Sequence, residues 1–322
     1  MSAPGTMRII RTSAAHADGL DDFPFEIRET DIEAGDGQSL TVRYVDEGPR
    51  GAHTVVFLHG NPSWMYIWRT SIAAVVAAGY RAVAIDLVGM GLSDKPSEMG
   101  DYTVQRHIDW TSDVLLGRLG LSGFTFVLHD WGGIIGMRIA ADRPGTVDGM
   151  CISNTGLPSR DPSVPLPEDA STPKGAFAGF QKFARETPAW EPWAMLDGVM
   201  VTPVRPEVRR GYAAPYPDQS LTIGSRAFTQ LLPTTADNPM NTPNWHAWKV
   251  LEQYRRPVLT LFSDKDVVAP TGWRDIVARI PGAADQPHRI LEGGGHFLQE
   301  DIPGEFNSAL VAWLEHNWPT GN

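Results

Sequence analysis

Short apolar runs alternate with longer stretches of helical spacing along most of the chain. Residues 54–58 read Thr-Val-Val-Phe-Leu and stop at the polar His59, a pattern typical of a strand buried on both faces. Comparable patterns predict strands at residues 39–46, 80–85, 124–128, 147–153, 257–262 and 288–291, and helices at residues 64–78, 102–119, 134–142, 273–280 and 303–316. Because strands and helices alternate, we expect a mostly parallel sheet with helices on both faces.

The pattern changes between residues 155 and 243. This stretch is dense in Pro, Trp and Phe, contains no clear strand, and interrupts its helical patches repeatedly. We therefore predict one α/β core formed by residues 1–154 and 244–322, with residues 155–243 inserted as a helical cap.

Composition and charge narrow the possible partners. The 322 residues include 27 Lys and Arg against 38 Asp and Glu, which gives a net charge of −11. This negative charge disfavours binding to nucleic acid or to anionic lipid. The longest apolar run, residues 72–78, is far shorter than the ~20 residues of a membrane span. The start lacks the charged and apolar regions of a signal peptide. We expect a cytoplasmic protein with no membrane partner, and the single Cys151 excludes an internal disulfide.

The first candidate for chemistry lies where the strand predicted at residues 124–128 ends. His-Asp-Trp-Gly-Gly follows directly, the layout of a nucleophile elbow with Asp130 in place of the usual serine. A carboxylate is already charged at neutral pH and needs no base to activate it. It suits displacement at a saturated carbon, forming an ester that water then opens. Leu128 departs from the small residue usual at its position, and the alternative is that Asp130 only caps the following helix.

A histidine and an acid follow in the order that such hydrolases use. His296 lies in a glycine-rich loop after the last predicted strand, and Asp266 follows the strand predicted at residues 257–262. An acid in that position can hold the imidazole in one tautomer and stabilise its cation. Asp264 is the alternative acid, and a lone histidine such as His296 is often only structural.

Two neutral donors stand beside the nucleophile. Asn61 lies in the loop after the strand at residues 54–58, and Trp131 follows Asp130 directly. In an elbow of this kind both positions also supply backbone N–H groups to an oxyanion. An amide NH₂ and an indole N–H suit a weakly hydrated anion that leaves a dry pocket. Alternatively, Asn61 only forms a turn with Pro62, and Trp131 belongs to the core.

Six segments together resemble the haloalkane dehalogenases, a family of the α/β-hydrolase superfamily, over residues 8–313. They are His59-Gly-Asn-Pro-Ser-Trp64, Trp68-Arg69, Asp86-Leu-Val-Gly-Met-Gly-Leu-Ser-Asp-Lys-Pro96, His129-Asp-Trp-Gly-Gly133, Gly211-Tyr-Ala-Ala-Pro-Tyr-Pro-Asp218 and Gly295-His-Phe-Leu-Gln-Glu-Asp301. The resemblance implies an α/β-hydrolase fold and hydrolysis of carbon–halogen bonds in small apolar substrates, without cofactor or metal. It implies Asp130 as nucleophile, His296 as base, Asp266 as acid, and Trp131 with a second residue as halide contacts.

The sequence looks closest to the subfamily whose acid follows the seventh strand. There the second halide donor is usually a cap tryptophan, and the first loop reads His-Gly-Glu-Pro. This chain departs twice, with Asn61 in place of the Glu and Phe180 where we place the cap tryptophan. Asn61 supplies the second halide contact in other subfamilies, so the departures compensate. Phe180, Phe183 and Leu298 are candidate pocket residues, although the cap aromatics could equally form the core of the cap.

Two other functions fit parts of the pattern. An epoxide hydrolase uses the same kind of triad, with two cap tyrosines to protonate the epoxide oxygen, and Tyr212 and Tyr216 are candidates. A non-catalytic binding protein on a hydrolase scaffold would be expected to lack a triad member, and all three are present. Asn61 beside Trp131 favours the halide chemistry. Gly89-Met-Gly91 lacks the rest of a dinucleotide-binding motif, and no metal-ligand spacing occurs.

Overall fold

An eight-stranded, mostly parallel sheet forms the centre of the molecule. The computed structural model describes residues 7–35 and 37–320, so the outer ends of the predicted core, 1–6 and 321–322, lie outside it. The strands are β1 (Arg28–Glu33), β2 (Ser39–Glu47), β3 (Thr54–Leu58), β4 (Arg81–Ile85), β5 (Phe124–His129), β6 (Val147–Ser153), β7 (Val258–Ser263) and β8 (Arg289–Leu291). Their order across the sheet is β8-β7-β6-β5-β3-β4-β2-β1. The predicted α/β fold is confirmed.

One strand, β2, runs against the common direction of the sheet. β2 pairs antiparallel with β1 and with β4, whereas the other neighbours pair in parallel. The sequence pattern did not predict β1, because Arg-Glu-Thr-Asp-Ile-Glu lies at the edge of the sheet and only Ile32 in it is buried. A small separate ladder pairs Ile9–Ile10 with Lys95–Pro96.

Helices cover both faces of the sheet. They are α1 (Arg69–Ala77), α2 (Val104–Ser112), α3 (Trp131–Asp142), α4 (Ala176–Glu186), α5 (Leu196–Val199), α6 (Pro206–Ala213), α7 (Ile223–Gln230), α8 (Asn241–Leu251), α9 (Gly272–Arg279), α10 (Leu298–Asp301) and α11 (Pro303–Asn317). The helix predicted at residues 102–119 is an α-helix only as far as Ser112 and continues as a π-helix over Asp113–Arg118. In the described part of the chain, no helix has the length and apolarity to cross a membrane.

Two apolar clusters hold the helices to the sheet. One contains Ile135 of α3 and Leu251 of α8, and the other contains Ile72 of α1 and Leu310 of α11. All four side chains are inaccessible to solvent. Burying such a side chain contributes about 1.5–3 kcal/mol relative to leaving it in water, which makes these clusters the main support of the sheet.

The segment predicted as a cap carries helices α4 to α7 and no strand over residues 155–243. Helix α8 begins at Asn241 and crosses the predicted boundary at residue 243. Its Trp248 is buried in the same cluster as α3, and the indole donates a hydrogen bond to the Leu157 carbonyl. The second part of the core is therefore packed against the start of the cap.

Candidate active site

The turn between β5 and α3 holds Asp130 in a conformation that few residues adopt. Its φ is 50° and its ψ is −124°, and the helix begins at the next residue. The turn is tight because glycines surround it. A Cβ on Gly132 would overlap the Leu58 carbonyl oxygen, and a Cβ on Gly60 would overlap the Asp130 carboxylate. Strained backbone of this kind is typical of functional sites, and here it exposes the carboxylate beyond the end of the strand.

The carboxylate of Asp130 has a defined set of partners. Oδ1 accepts a hydrogen bond from the Asn61 backbone N–H at 2.8 Å, and Oδ2 lies 3.5 Å from Nε2 of His296. The Asp130 carbonyl accepts from Oγ1 of Thr155 at 2.7 Å. Burial raises the pKa of Asp130, but the hydrogen bond and charge of His296 outweigh it and hold the pKa below the ordinary value. The group is therefore a carboxylate at neutral pH.

His296 bridges the two acids. Its Nδ1 lies 2.9 Å from Oδ1 of Asp266, and the Asp266 carboxylate also accepts from the backbone N–H groups of Val268 at 2.8 Å and Ala269 at 3.1 Å. Since an ionised carboxylate only accepts, Nδ1 carries the proton. Burial lowers the pKa of His296, but Asp130 and Asp266 together raise it to about 9.

The alternative acid is placed elsewhere. Asp264 is exposed and accepts a hydrogen bond from the Gly293 backbone at 2.8 Å. The Asp266 carboxylate, by contrast, is fully buried beside His296. The geometry therefore favours Asp266 as the partner of the imidazole.

A buried asparagine secures the histidine loop, and sequence reasoning missed it. Nδ2 of Asn154 donates to the carbonyls of His296 at 2.9 Å and Gly295 at 3.0 Å, and Asn154 adopts a positive φ of 40°. Nε2 of His129 bonds the same His296 carbonyl at 2.8 Å. The available signal was position, because Asn154 directly follows β6 at the edge of the sheet where Asp130 follows β5.

Asn61 and Trp131 both line the cavity next to Asp130. Oδ1 of Asn61 accepts from Oγ of Ser225 at 2.7 Å, and the Trp131 ring packs 5.3 Å from the ring of Phe228. Within residues 7–35 and 37–320, neither Nδ2 of Asn61 nor Nε1 of Trp131 has a hydrogen-bond partner. Two neutral donors are thus available to an anion in the cavity.

The cavity has a volume of 440 Å³ and lies between the core and the cap. Its polar side chains are few: Asp130, His296, Asn61 and Thr229, with the indole of Trp131. The remaining wall is apolar or glycine: Pro62, Ala176, Phe177, Phe180, Ala194, Met195, Gly198, Val199, Leu232, Val267, Val268 and Phe297. Such a wall suits a substrate without hydrogen-bonding groups of its own.

The predicted pocket residues separate into two groups. Phe180 lines the cavity, whereas Phe183 is 59% exposed and packs its ring 6.1 Å from that of Trp190. Leu298 is fully buried in the core cluster of α1 and α11. The prediction that Phe183 and Leu298 line the pocket is therefore wrong: α4 turns Phe183 outward, and α10 turns Leu298 away from the cavity.

The two cap tyrosines do not reach the cavity. The Tyr212 hydroxyl donates to Glu300 at 2.8 Å, and the Tyr216 hydroxyl accepts from the Gly91 backbone at 3.3 Å. Both residues are buried, and neither lines the cavity. Among the residues that the structure describes, the site therefore lacks the pair of tyrosine acids that epoxide opening would use.

Comparison with known proteins agrees with this geometry. A family model described as the alpha/beta hydrolase fold matches residues 53–303. A haloalkane dehalogenase of Mycolicibacterium paratuberculosis is 37% identical over 96% of this chain and 99% of its own length. Another, from Psychrobacter cryohalolentis, is 38% identical over 97% and 99%. The tetrameric structure of haloalkane dehalogenase DpaA from Paraglaciecola agarilytica NO2 matches with a TM-score of 0.82 and 25% identity, covering 96% of this chain and 98% of DpaA.

Proposed function

We infer the chemistry from a single premise: this chain belongs to the haloalkane dehalogenases, a family of hydrolases with the α/β-hydrolase fold. Enzymes of this class cleave carbon–halogen bonds with water. We propose that the cleavage here proceeds in two steps on Asp130. The observation that carries the proposal is a single ionised carboxylate at the wall of an apolar cavity, with two free neutral donors beside it.

In the first step Asp130 displaces the halide. A carboxylate oxygen attacks the halogen-bearing carbon in line, the carbon–oxygen bond of an alkyl ester forms, and the carbon–halogen bond breaks with its electron pair on the halide. No proton moves, because Asp130 is already ionised and the halide leaves unprotonated. The apolar wall keeps the carboxylate poorly hydrated, which favours its attack on carbon.

Nδ2 of Asn61 and Nε1 of Trp131 receive the departing halide. Negative charge develops on the halogen during displacement, and preorganised donors aimed at such charge lower the barrier. The side chain of Phe180, in the cap, has no N–H group, so Asn61 supplies the second side-chain donor.

In the second step His296 activates water. Nδ1 is held by Asp266, so Nε2 removes a proton from water, and the resulting hydroxide attacks the ester carbonyl of Asp130. The backbone N–H of Asn61 already bonds Oδ1 of Asp130, and with the Trp131 N–H it stabilises the oxyanion. The tetrahedral intermediate then breaks its bond to the alkyl oxygen, which takes the proton of the newly added hydroxyl and leaves as the alcohol. The Asp130 carboxylate is restored, and the proton on His296 passes to solvent.

The position of the acid supports a finer placement within the family. Asp266 follows β7, the seventh strand of the sheet, and bonds His296. We place the chain in the subfamily with the acid at this point, with Asn61 in the role that a cap tryptophan has there.

A substrate panel tests the proposal. Purified protein is incubated with terminal bromo- and chloroalkanes and, separately, with styrene oxide, while halide, proton and diol are measured. We expect equal amounts of halide and proton from the haloalkanes and no diol from styrene oxide, since Tyr212 and Tyr216 lie outside the cavity. Diol formation without halide release from any haloalkane would contradict the proposal.

A further inference from the structure

A chain of hydrogen bonds runs from the cap to the proposed halide donor. Nε1 of Trp190 lies 3.1 Å from Oγ of Ser225, and Oγ of Ser225 lies 2.7 Å from Oδ1 of Asn61. Ser225 lies on α7 and is inaccessible to solvent, and Trp190 is 2% exposed. Neither residue lines the cavity, so neither touches a substrate there.

The direction of these bonds follows from the groups involved. An indole N–H can only donate, so Oγ of Ser225 accepts from Trp190 with a lone pair. The single hydroxyl hydrogen of Ser225 is then free to point at Asn61. The atom of Asn61 that faces this hydroxyl is the carbonyl oxygen Oδ1, which accepts the hydrogen bond, and Asn61 itself lines the cavity.

We propose that Ser225, oriented by Trp190, is a positioning residue that fixes the Asn61 amide with its N–H donors toward the halide. The inference rests on the proposed function of Asn61 as halide donor. An amide without this restraint can turn by 180° and present its oxygen to the cavity. The oxygen carries partial negative charge and would repel the departing halide.

The chain also ties halide stabilisation to the cap. The Asn61 backbone is held by the core, because its N–H bonds Asp130, whereas its side chain is oriented by Ser225 of α7. Displacement should therefore depend on Ser225, while ester hydrolysis should not, since the oxyanion uses backbone N–H groups. This difference separates positioning from a general structural role.

The test compares Ser225→Ala, Asn61→Ala and the double variant. Single-turnover measurements give the rate of ester formation and the rate of its hydrolysis, and product inhibition gives the affinity for bromide. We expect Ser225→Ala to slow ester formation and weaken bromide binding about two- to twelvefold, the range for one neutral hydrogen bond, with hydrolysis unchanged. Adding it to Asn61→Ala should cause no further loss of either quantity.

Two tryptophan variants test the same inference even if the Ser225→Ala protein does not fold. Trp190→Phe removes the indole donor but retains a ring, and should lower bromide affinity in the same direction. Trp193→Phe is the matched control, because Trp193 is another cap tryptophan, stacked 6.3 Å from Tyr216 and outside the chain of hydrogen bonds. It should leave bromide affinity unchanged.

The possible failures are distinguishable. If Asn61→Ala retains bromide affinity and its rate of ester formation, the proposed role of Asn61 is wrong and the inference falls with it. If Asn61→Ala is impaired but Ser225→Ala and Trp190→Phe match the wild type, only the positioning role is wrong. If Ser225→Ala lowers bromide affinity by the same factor in the wild type and in Asn61→Ala, the positioning role is also wrong, since Ser225 would then act by another route.

Discussion

The charge on His296 depends on the state of Asp130. In the free enzyme two carboxylates face the imidazole and, against the effect of burial, raise its pKa to about 9. In the proposed mechanism, ester formation removes the charge of Asp130 and leaves only that of Asp266. The pKa of His296 must then fall, because one of the two groups that raise it is neutral. Ester formation therefore favours the subsequent loss of the Nε2 proton of His296 to solvent, which gives the neutral base that the second step needs.

The same interaction makes stability depend on pH. The folded-state pKa of His296 lies above the ordinary value of 6.5, so its contribution to stability is complete below about pH 6.5 and is lost as pH rises through about 9. We expect the melting temperature of the wild type, relative to His296→Ala, to fall across this interval. Thermal denaturation of both proteins from pH 6 to pH 9.5 measures the difference, and a constant gap would contradict it.

Substitution of Asn61 tests the proposed halide site most directly. Asn61→Ala leaves Trp131 as the remaining side-chain donor, and removal of one such donor typically costs about 2.7–4 kcal/mol of transition-state stabilisation. We expect kcat for a bromoalkane to fall about 10²-fold or more while the melting temperature stays close to that of the wild type. A fall of less than about threefold would mean that another group supplies the second contact.

The contact between β5 and α3 accommodates a side chain that is larger than usual at its position. Leu128 occupies a position that is usually small in a nucleophile elbow. Gly136, one turn and a half into α3, faces it, and a Cβ at Gly136 would overlap both methyl groups of Leu128. The space that Leu128 fills is thus provided by a glycine on the helix.

This contact predicts a size-dependent loss of stability. Gly136→Ala overpacks the contact, so we expect it to lower the free energy of unfolding by about 1–3 kcal/mol despite the better helix propensity of alanine. Gly304→Ala, in α11 with open space around the new methyl group, is the control and should be neutral or slightly stabilising. Urea denaturation gives both values. In a Leu128→Ala background, Gly136→Ala should lower the free energy of unfolding by less than it does in the wild type. An equal loss in both backgrounds would mean that Gly136 and Leu128 are not coupled.

The sequence predicts elements well where the apolar signal is strong. Strands buried on both faces, such as β3 and β6, lie where the pattern places them. The sequence carries no comparable signal for edge strand β1 or for the outward orientation of Phe183. Tertiary packing decides whether a polar segment joins the edge of the sheet and which face of a cap helix is buried. The sequence favours Asp266 but leaves Asp264 open as the alternative, since both follow β7 and only the folded turn directs Asp266 to His296.

At the scale of the whole molecule, the cap is attached to the histidine loop. The His296 backbone N–H donates to the Val199 carbonyl at 2.8 Å. The Asp301 carboxylate accepts from the backbone N–H groups of Thr202 in the cap and Gly295 in the loop, each at 2.8 Å. His296 and the segment that follows α5 are therefore held as one unit.

Removing this attachment should affect the second chemical step most. In Asp301→Ala the donors of Thr202 and Gly295 lose their partner, so we expect a loss of about 1–3 kcal/mol in stability and slower ester hydrolysis, with displacement less affected. Asp218→Ala, which removes another cap carboxylate bonded to the Ser220 backbone, is the matched control and should leave both rates unchanged. Single-turnover kinetics measures them, and equal slowing of both steps by Asp301→Ala would contradict the expectation.

In the proposed mechanism Asp130 carries the alkyl group and His296 activates the water that removes it. His296→Ala leaves the carboxylate of Asp130 in place but takes away the base, and a positioned base contributes ~10²–10⁴-fold to such a step. The most direct measurement is intact-mass spectrometry of His296→Ala after incubation with 1-bromobutane. We expect about one bromide released per active site and a butyl adduct on the peptide containing His129-Asp130-Trp131. Steady turnover without an adduct, or an adduct on any residue other than Asp130, would contradict the mechanism.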